Sequence, residues 1–214
     1  MKIQQLQTPS GGPERTTRRV GKAAGRARIL SAASSLFAER GFAACRVVDV
    51  ARRAAMSPGN VYWHFESKEA VLQAILADGF AVREAMTAGV ADEYGPARRK
   101  IEILVDRTVT FYDQQADFLT ILAGLAGHGG RELIESLGFD QPAIERRTRA
   151  NVRRVLAEAR SEGAIAPADP DQLVGLFLAL FDGLLIGSST RGPAMPREAV
   201  RDAALRLLGY RPAG

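Results

Sequence analysis

Cysteine is almost missing from this chain. Cys45 stands alone among 214 residues, so no internal disulfide can form and a reducing compartment is expected. Histidine is nearly as scarce: His64 and His128 are far apart and have no clustered Cys or carboxylate at ligand spacing, so no metal site is expected. No nucleophile elbow, phosphate-cradling loop or partnered carboxylate pair occurs, so neither catalytic residues nor a cofactor is expected. Long apolar runs are absent as well. The longest, Leu173 to Ile186, is too short for a bilayer and is interrupted by Asp182. Met1 to Gly25 is polar and basic, without the apolar core of a secretory signal. These absences predict a soluble cytoplasmic protein that does not engage a membrane.

What is present is unevenly charged. Residues 1–68 carry 12 Lys/Arg against 4 Asp/Glu, whereas residues 69–214 carry 17 against 20. A basic head on a mildly acidic body predicts that the head meets a polyanion.

Aromatics are few and Leu, Val, Ala and Ile plentiful, which suits an all-α protein. No strand pattern and no internal repeat is visible. Residues 1–24, with Pro13, Arg15, Arg18, Arg19 and Lys22 but no apolar periodicity, read as a disordered basic tail, and as an arm for a minor groove in the sharper reading. From about Gly25 to Arg40, Ile29, Ala33, Leu36 and Phe37 recur on one helical face, with Gly41 as a left-handed cap. A second helix is expected over about Val47–Ala54, and a fourth over about Lys68–Ala88 behind Ser67. The remainder predicts helices from Pro96, at about Asp117–Ala126, Arg131–Leu137 and Gln141–Glu162, then from Asp169 to about Ser188 and over Pro196–Leu208. Gly127-His128-Gly129-Gly130 reads as a loop.

Between the second and fourth helices lies Ser57-Pro58-Gly59-Asn60-Val61-Tyr62-Trp63-His64-Phe65, the stretch that organises the rest. Ser57 can cap the N–H of Asn60, and Pro58 fits the first helical position, where no donor is needed. Gly59 leaves the helix start bare, so a groove can approach the backbone. Asn60 offers both a donor and an acceptor, as base-edge reading requires. Tyr62, Trp63 and His64 are donors at the far end, and Phe65 closes the helix into the core. Two short helices, a tight turn through Ala55-Met56 and a basic exposed face make a helix-turn-helix.

With Ile29-Leu30, Ala32-Ala33, Leu36-Phe37, Gly41-Phe42, Val50-Ala51 and Tyr62-Trp63-His64-Phe65-Glu66-Ser67-Lys68-Glu69 in order, the stretch over roughly 26–76 resembles the head of the tetracycline-repressor (TetR) family. The resemblance implies an N-terminal three-helix DNA-binding head over 25–70 and a C-terminal helical ligand-binding and dimerisation domain over 71–214. It implies a homodimer that binds double-stranded DNA at a near-palindromic operator, most often as a repressor released by an unknown small-molecule effector. By position, Ser57, Pro58, Gly59 and Asn60 would face bases, while Tyr62, Trp63, His64 and Lys68 would meet phosphates. The family pattern is departed from at three places: Cys45-Arg46 replaces a capping hydroxyl, Val48 an exposed polar residue, and Ala55 a turn glycine. Arg46 is a candidate phosphate contact, and Ala55 must avoid φ > 0 or carry strain.

In the body, Phe111, Phe118, Phe177 and Asp182 are candidate ligand contacts, although buried aromatics are more often plain core and Asp182 equally suits a structural hydrogen bond. Gly175, Ala179, Gly183 and Gly187 recur every four residues and, with Leu205, suit a close-packed dimer interface. Two other function classes stay open: an activator or ligand-independent DNA binder, and an enzyme or adaptor built on the same scaffold.

Overall fold

In the computed structural model, which describes residues 13–190 and 195–212, ten α-helices follow one another, and no strand occurs among the described residues. The first, α1 (Pro13–Arg40), is the longest at 28 residues. It begins twelve residues ahead of the predicted start at Gly25, so residues 13–24 are helical rather than a disordered tail; residues 1–12 lie outside the described residues. Apolar periodicity fails to reveal this part because its sequence has no apolar face. Pro13 sits in the first turn, and a run of Thr, Arg, Lys and Ala propagates a helix already nucleated further along.

Ile29, Ala32, Ala33, Leu36 and Phe37 are the buried side of α1. The helix stops at Gly41, whose φ of +79° suits glycine, and Phe42 turns back edge-on to Phe37 with ring centres 5.2 Å apart. Then come α2 (Val47–Arg53), α3 (Pro58–His64) and α4 (Lys68–Thr87). Val50, Ala51, Val61, Phe65 and Leu72 complete the core of the head. That core does not end with the head. It continues along α4 through Phe80 to Phe111, Phe118 and Ile144, so α4 is a shared wall.

A left-handed Gly89 and a 3-10 turn, Val90–Asp92, which periodicity did not predict, lead to α5 (Ala97–Gln114) and α6 (Ala116–Gly124). Next is α7 (His128–Ser136), which includes Gly129 and Gly130 of the expected loop, with Gly127 just ahead of it as the N-cap. Gly130 is needed there because a Cβ would lie 2.7 Å from the Cα of Leu125, so the chain must fold closely back on itself. The body closes with α8 (Gln141–Ser161), α9 (Pro170–Thr190) and α10 (Arg197–Leu207). A second core of Ile101, Leu104, Val155, Leu156, Phe177, Phe181 and Leu208 joins α5, α8, α9 and α10. Tyr112 packs against both cores.

No helix among the described residues is long and apolar enough to cross a membrane. Among the same residues, no group of three or more His, Cys, Asp or Glu is placed to hold a metal ion.

Candidate nucleic-acid interface

The helix-turn-helix is held by backbone chemistry at its turn. Helix α2 ends in a Schellman arrangement: the N–H of Met56 donates to the carbonyl of Ala51 at 2.9 Å, and that of Ala55 to Arg52 at 3.2 Å. This closure requires a left-handed residue, and Ala55 takes that role with φ of +52°, the only non-glycine with positive φ among the described residues. Strain at such a position is on the order of 1–2 kcal/mol. Arg28 of α1 offsets it by donating from Nη2 to the carbonyl of Ala54 at 2.6 Å. Arg28 escaped sequence reasoning because it reads as one more surface charge.

At the start of α2, Arg46 replaces the capping hydroxyl. Asp49 compensates by reaching back, its Oδ2 accepting the N–H of Arg46 at 3.1 Å. The Arg46 side chain is 82% exposed and that of Arg52 80%, both only loosely paired with Asp49, so their charge is available to a partner. Val48 is 42% exposed, an apolar residue on the outer face. Cys45 is buried and directs its thiol at the Leu36 carbonyl, which places it in the core and away from solvent.

Helix α3 starts as its sequence predicts. Ser57 accepts the N–H of Asn60 at 3.2 Å, and Pro58 occupies the first turn. Ser57, Pro58, Gly59 and Asn60 are all exposed. A Cβ at Gly59 would meet nothing within 4 Å, so the fold itself does not require glycine there. Tyr62 and Trp63 are 55% and 57% exposed, which removes them from the core, while Val61 and Phe65 supply the buried side.

Two expected phosphate contacts are turned inward. Lys68 donates from Nζ to the carbonyls of Phe42 and Cys45, each at 2.9 Å, and lies 4.2 Å from the centre of the Phe42 ring. It therefore clamps the α1–α2 connection, because the lysine stem at the start of α4 reaches two carbonyls that no helix satisfies. His64 packs against α1: a Cβ on Gly25 would lie 2.7 Å from its Nε2, and its Nδ1 is enclosed without a hydrogen-bond partner. Burial, reinforced by the charges of Lys22 and Arg26, pushes its pKa below the usual histidine value. The ring meets Trp63 edge-on, with centres 4.6 Å apart.

The body candidates are linked by a row of rings, in which Phe118 meets Phe111, Phe111 meets Tyr112, and Tyr112 meets Phe181 beside Phe177 and Asp182. Phe111, Phe118 and Phe177 are buried rings packed against other rings: Phe118 on Phe80, Phe111 on Tyr112, Phe177 on Phe181, with centres 5.1–5.5 Å apart. Asp182 is exposed and accepts the hydroxyl of Tyr112 at 2.9 Å, a structural hydrogen bond. Burial and that carboxylate push the Tyr112 phenol far above its ordinary range. An open cleft of about 430 Å³ does border Phe118; Ser31, Ser34, Asp78, Gln114 and Asp117 also line it, where α1 and α4 meet the α5–α6 junction. On α9, Ala179 and Gly183 are exposed and Gly175 is half-buried, and a Cβ at either glycine would meet nothing within 4 Å. The surroundings of Gly187 lie outside the described residues. Leu205 is buried within its own chain, because α10 turns it towards the second core, so it is not a free interface residue.

The family model for bacterial regulatory proteins of the tetR family matches residues 29–75, and that for the C-terminal part of BetI-type transcriptional repressors matches residues 137–209. The chain belongs to the tetR family. The chain is 47% identical over 51 residues to the HTH-type transcriptional regulator UidR of Escherichia coli (strain K12), a match that covers 24% of this chain and 26% of UidR. The chain thus spans about a quarter of that relative's length. A longer match, 28% identical over 182 residues, is to the A-factor receptor protein of Streptomyces griseus, covering 84% of this chain and 61% of that protein. Among solved structures, the TetR family transcriptional regulator PfmR of Thermus thermophilus superposes with a TM-score of 0.70 at 22% identity, over 85% of this chain and 97% of PfmR. For a tetR-family chain the inward turns of Lys68 and His64 matter, since the outward-facing polar surface is then α3 itself, with the exposed Lys22, Arg26, Arg46 and Arg52 around it.

Proposed function

We propose that this protein is a DNA-binding transcriptional regulator of the cytoplasm, acting as a homodimeric repressor at a near-palindromic operator. The observation that carries the reading is the outer face of α3, where Gly59 is open, Asn60 and Tyr62 are exposed, and Trp63 stands clear of the core. Asn60 would read base edges in the major groove, and Tyr62 with Arg46 would fix register on phosphates. Two heads would then engage half-sites one turn, or a multiple, apart. The small-residue face of α9, with Ala179 and Gly183 exposed and Gly175 half-buried, supports close pairing with a second copy.

One relative is, by its name, a receptor protein, which supports an effector-responsive body. The cleft bordered by Ser31, Asp78 and Phe118 touches α1, α4 and the α5–α6 junction at once. A small molecule there would bias the head between arrangements that fit and miss the operator spacing.

The test is selection of duplexes from a random library by the full-length protein, followed by a salt titration. A near-palindromic site is expected, with affinity falling roughly 10³–10⁵-fold between 50 and 200 mM salt for 6–10 phosphate contacts. Recovery of no site would favour an enzyme or adaptor on this scaffold. Reporter transcription with and without the protein separates a repressor from an activator.

A further inference from the structure

From Pro13 to Arg28, helix α1 carries Arg15, Arg18, Arg19, Lys22, Arg26 and Arg28 against the single acid Glu14. All of it precedes residue 29, where the family match begins. Yet it is continuous with the helix that forms the head core. Two contacts fix its course. Gly25 lets α1 lie directly on His64 at the end of α3, and the Lys22 ammonium stands 5.0 Å from the centre of the Trp63 ring. A Cβ at Gly21 would meet nothing within 4 Å, so that side of the helix is open. The stretch from Pro13 to Lys22 corresponds to about 14 Å of helix beyond Trp63. Arg28 is engaged at the turn, but Lys22 and Arg26 are exposed and neither forms an ion pair with a described residue.

We infer that this basic forward part of α1 is a second DNA-contacting element, lying along the phosphates that flank the site read by α3. The inference rests on the DNA-binding reading and adds a contact outside the helix-turn-helix. Width decides which part of the duplex it meets. A helix with side chains is about 10–12 Å across, whereas the minor groove is about 6 Å wide. A helical segment therefore does not thread the minor groove as an extended arm would. The major groove beside it is filled by α3, which leaves the backbone. There the charge density, one per ~1.7 Å of axis, matches a closely spaced row of Arg and Lys.

The experiment compares wild-type protein with R18Q/R19Q/K22Q and with the charge-conserving R18K/R19K/K22R. The DNA is a duplex selected as above, once with flanks of about one turn on each side and once trimmed to the recognised site. With flanks, the plot of log affinity against log salt should be shallower by about 2–3 for the Gln variant, at ~0.9 per lost contact. Trimming should cost the wild type and the Lys/Arg variant roughly tenfold or more, and the Gln variant little. Equal slopes, with trimming felt equally by all, overturn the inference while leaving the α3 reading intact. Failure of every protein to bind any duplex overturns the reading beneath it as well.

Discussion

Phe118 of α6 lies directly on the Cα of Gly79 in α4: a Cβ at position 79 would fall well under 3.0 Å from the ring. Phe80 packs edge-on to the ring at 5.4 Å and Phe111 at 6.3 Å, so displacing it disturbs both contacts. Gly79 is thus a flat seat in the middle of a helix. Replacing it with Ala would gain about 1 kcal/mol in helix propensity but incur about 1–3 kcal/mol of overpacking. Net destabilisation is expected in urea unfolding, together with altered operator affinity because the seat joins body to head. A variant more stable than the wild type would show that the seat is slack.

Gly59 offers the opposite case. Nothing in the chain meets a Cβ there, so Gly59→Ala should leave stability unchanged or raise it by up to about 1 kcal/mol. Affinity for the selected duplex should fall all the same, because the added methyl would meet the groove. Unaltered affinity would mean that the start of α3 stays clear of DNA. Asn60→Ala should in addition relax base preference, read by repeating the selection.

At Ala55, where φ is +52°, glycine would adopt the turn without the side-chain penalty. Ala55→Gly is expected to raise the urea midpoint by an amount equivalent to about 1 kcal/mol, part of the relief being lost to glycine's greater freedom when unfolded. Arg28→Met should act in the other direction by releasing the Ala54 carbonyl. A destabilised Ala55→Gly would locate the strain elsewhere.

Lys68 separates two roles cleanly. As a clamp on the Phe42 and Cys45 carbonyls, its loss in Lys68→Met should destabilise the head by about 1–3 kcal/mol, with the salt slope of DNA binding unchanged. Were it a phosphate contact, stability would hold and the slope would drop by ~0.9.

His64 makes the head sensitive to acid. Its folded pKa lies below the ordinary value of 6.5, so the unfolded chain takes up a proton that the folded chain resists. Stability should therefore fall as pH drops below about 6.5, and this contribution should level off once pH passes the folded value. Unfolding midpoints between pH 7.5 and about 5 should fall more steeply for the wild type than for His64→Gln. Parallel curves would assign the acid sensitivity to other groups.

The helix-turn-helix was legible because its caps are local: Ser57 needs only Asn60, and Ser67 only Ala70. The inward turn of Lys68 was not, since its partners lie 23 and 26 residues away and a lysine at a helix start looks the same whether it meets a carbonyl or a phosphate. The forward half of α1 was missed because periodicity detects an apolar face, and the sequence there has none. Leu205 and the body aromatics share one difficulty: an apolar side chain does not announce whether it will meet its own core, a ligand or a second copy. Only the packing of α10 on α5 and α9 decides it for Leu205.

Trp63 is the chain's sole tryptophan, and it stands on α3 beside Lys22 and His64. A single fluorophore thus sits on the face in question. Excited at wavelengths that tyrosine does not absorb, its emission reports that face without a label, so DNA binding, displacement of the forward helix and titration of the neighbouring imidazole can all be followed in the untagged protein by light alone.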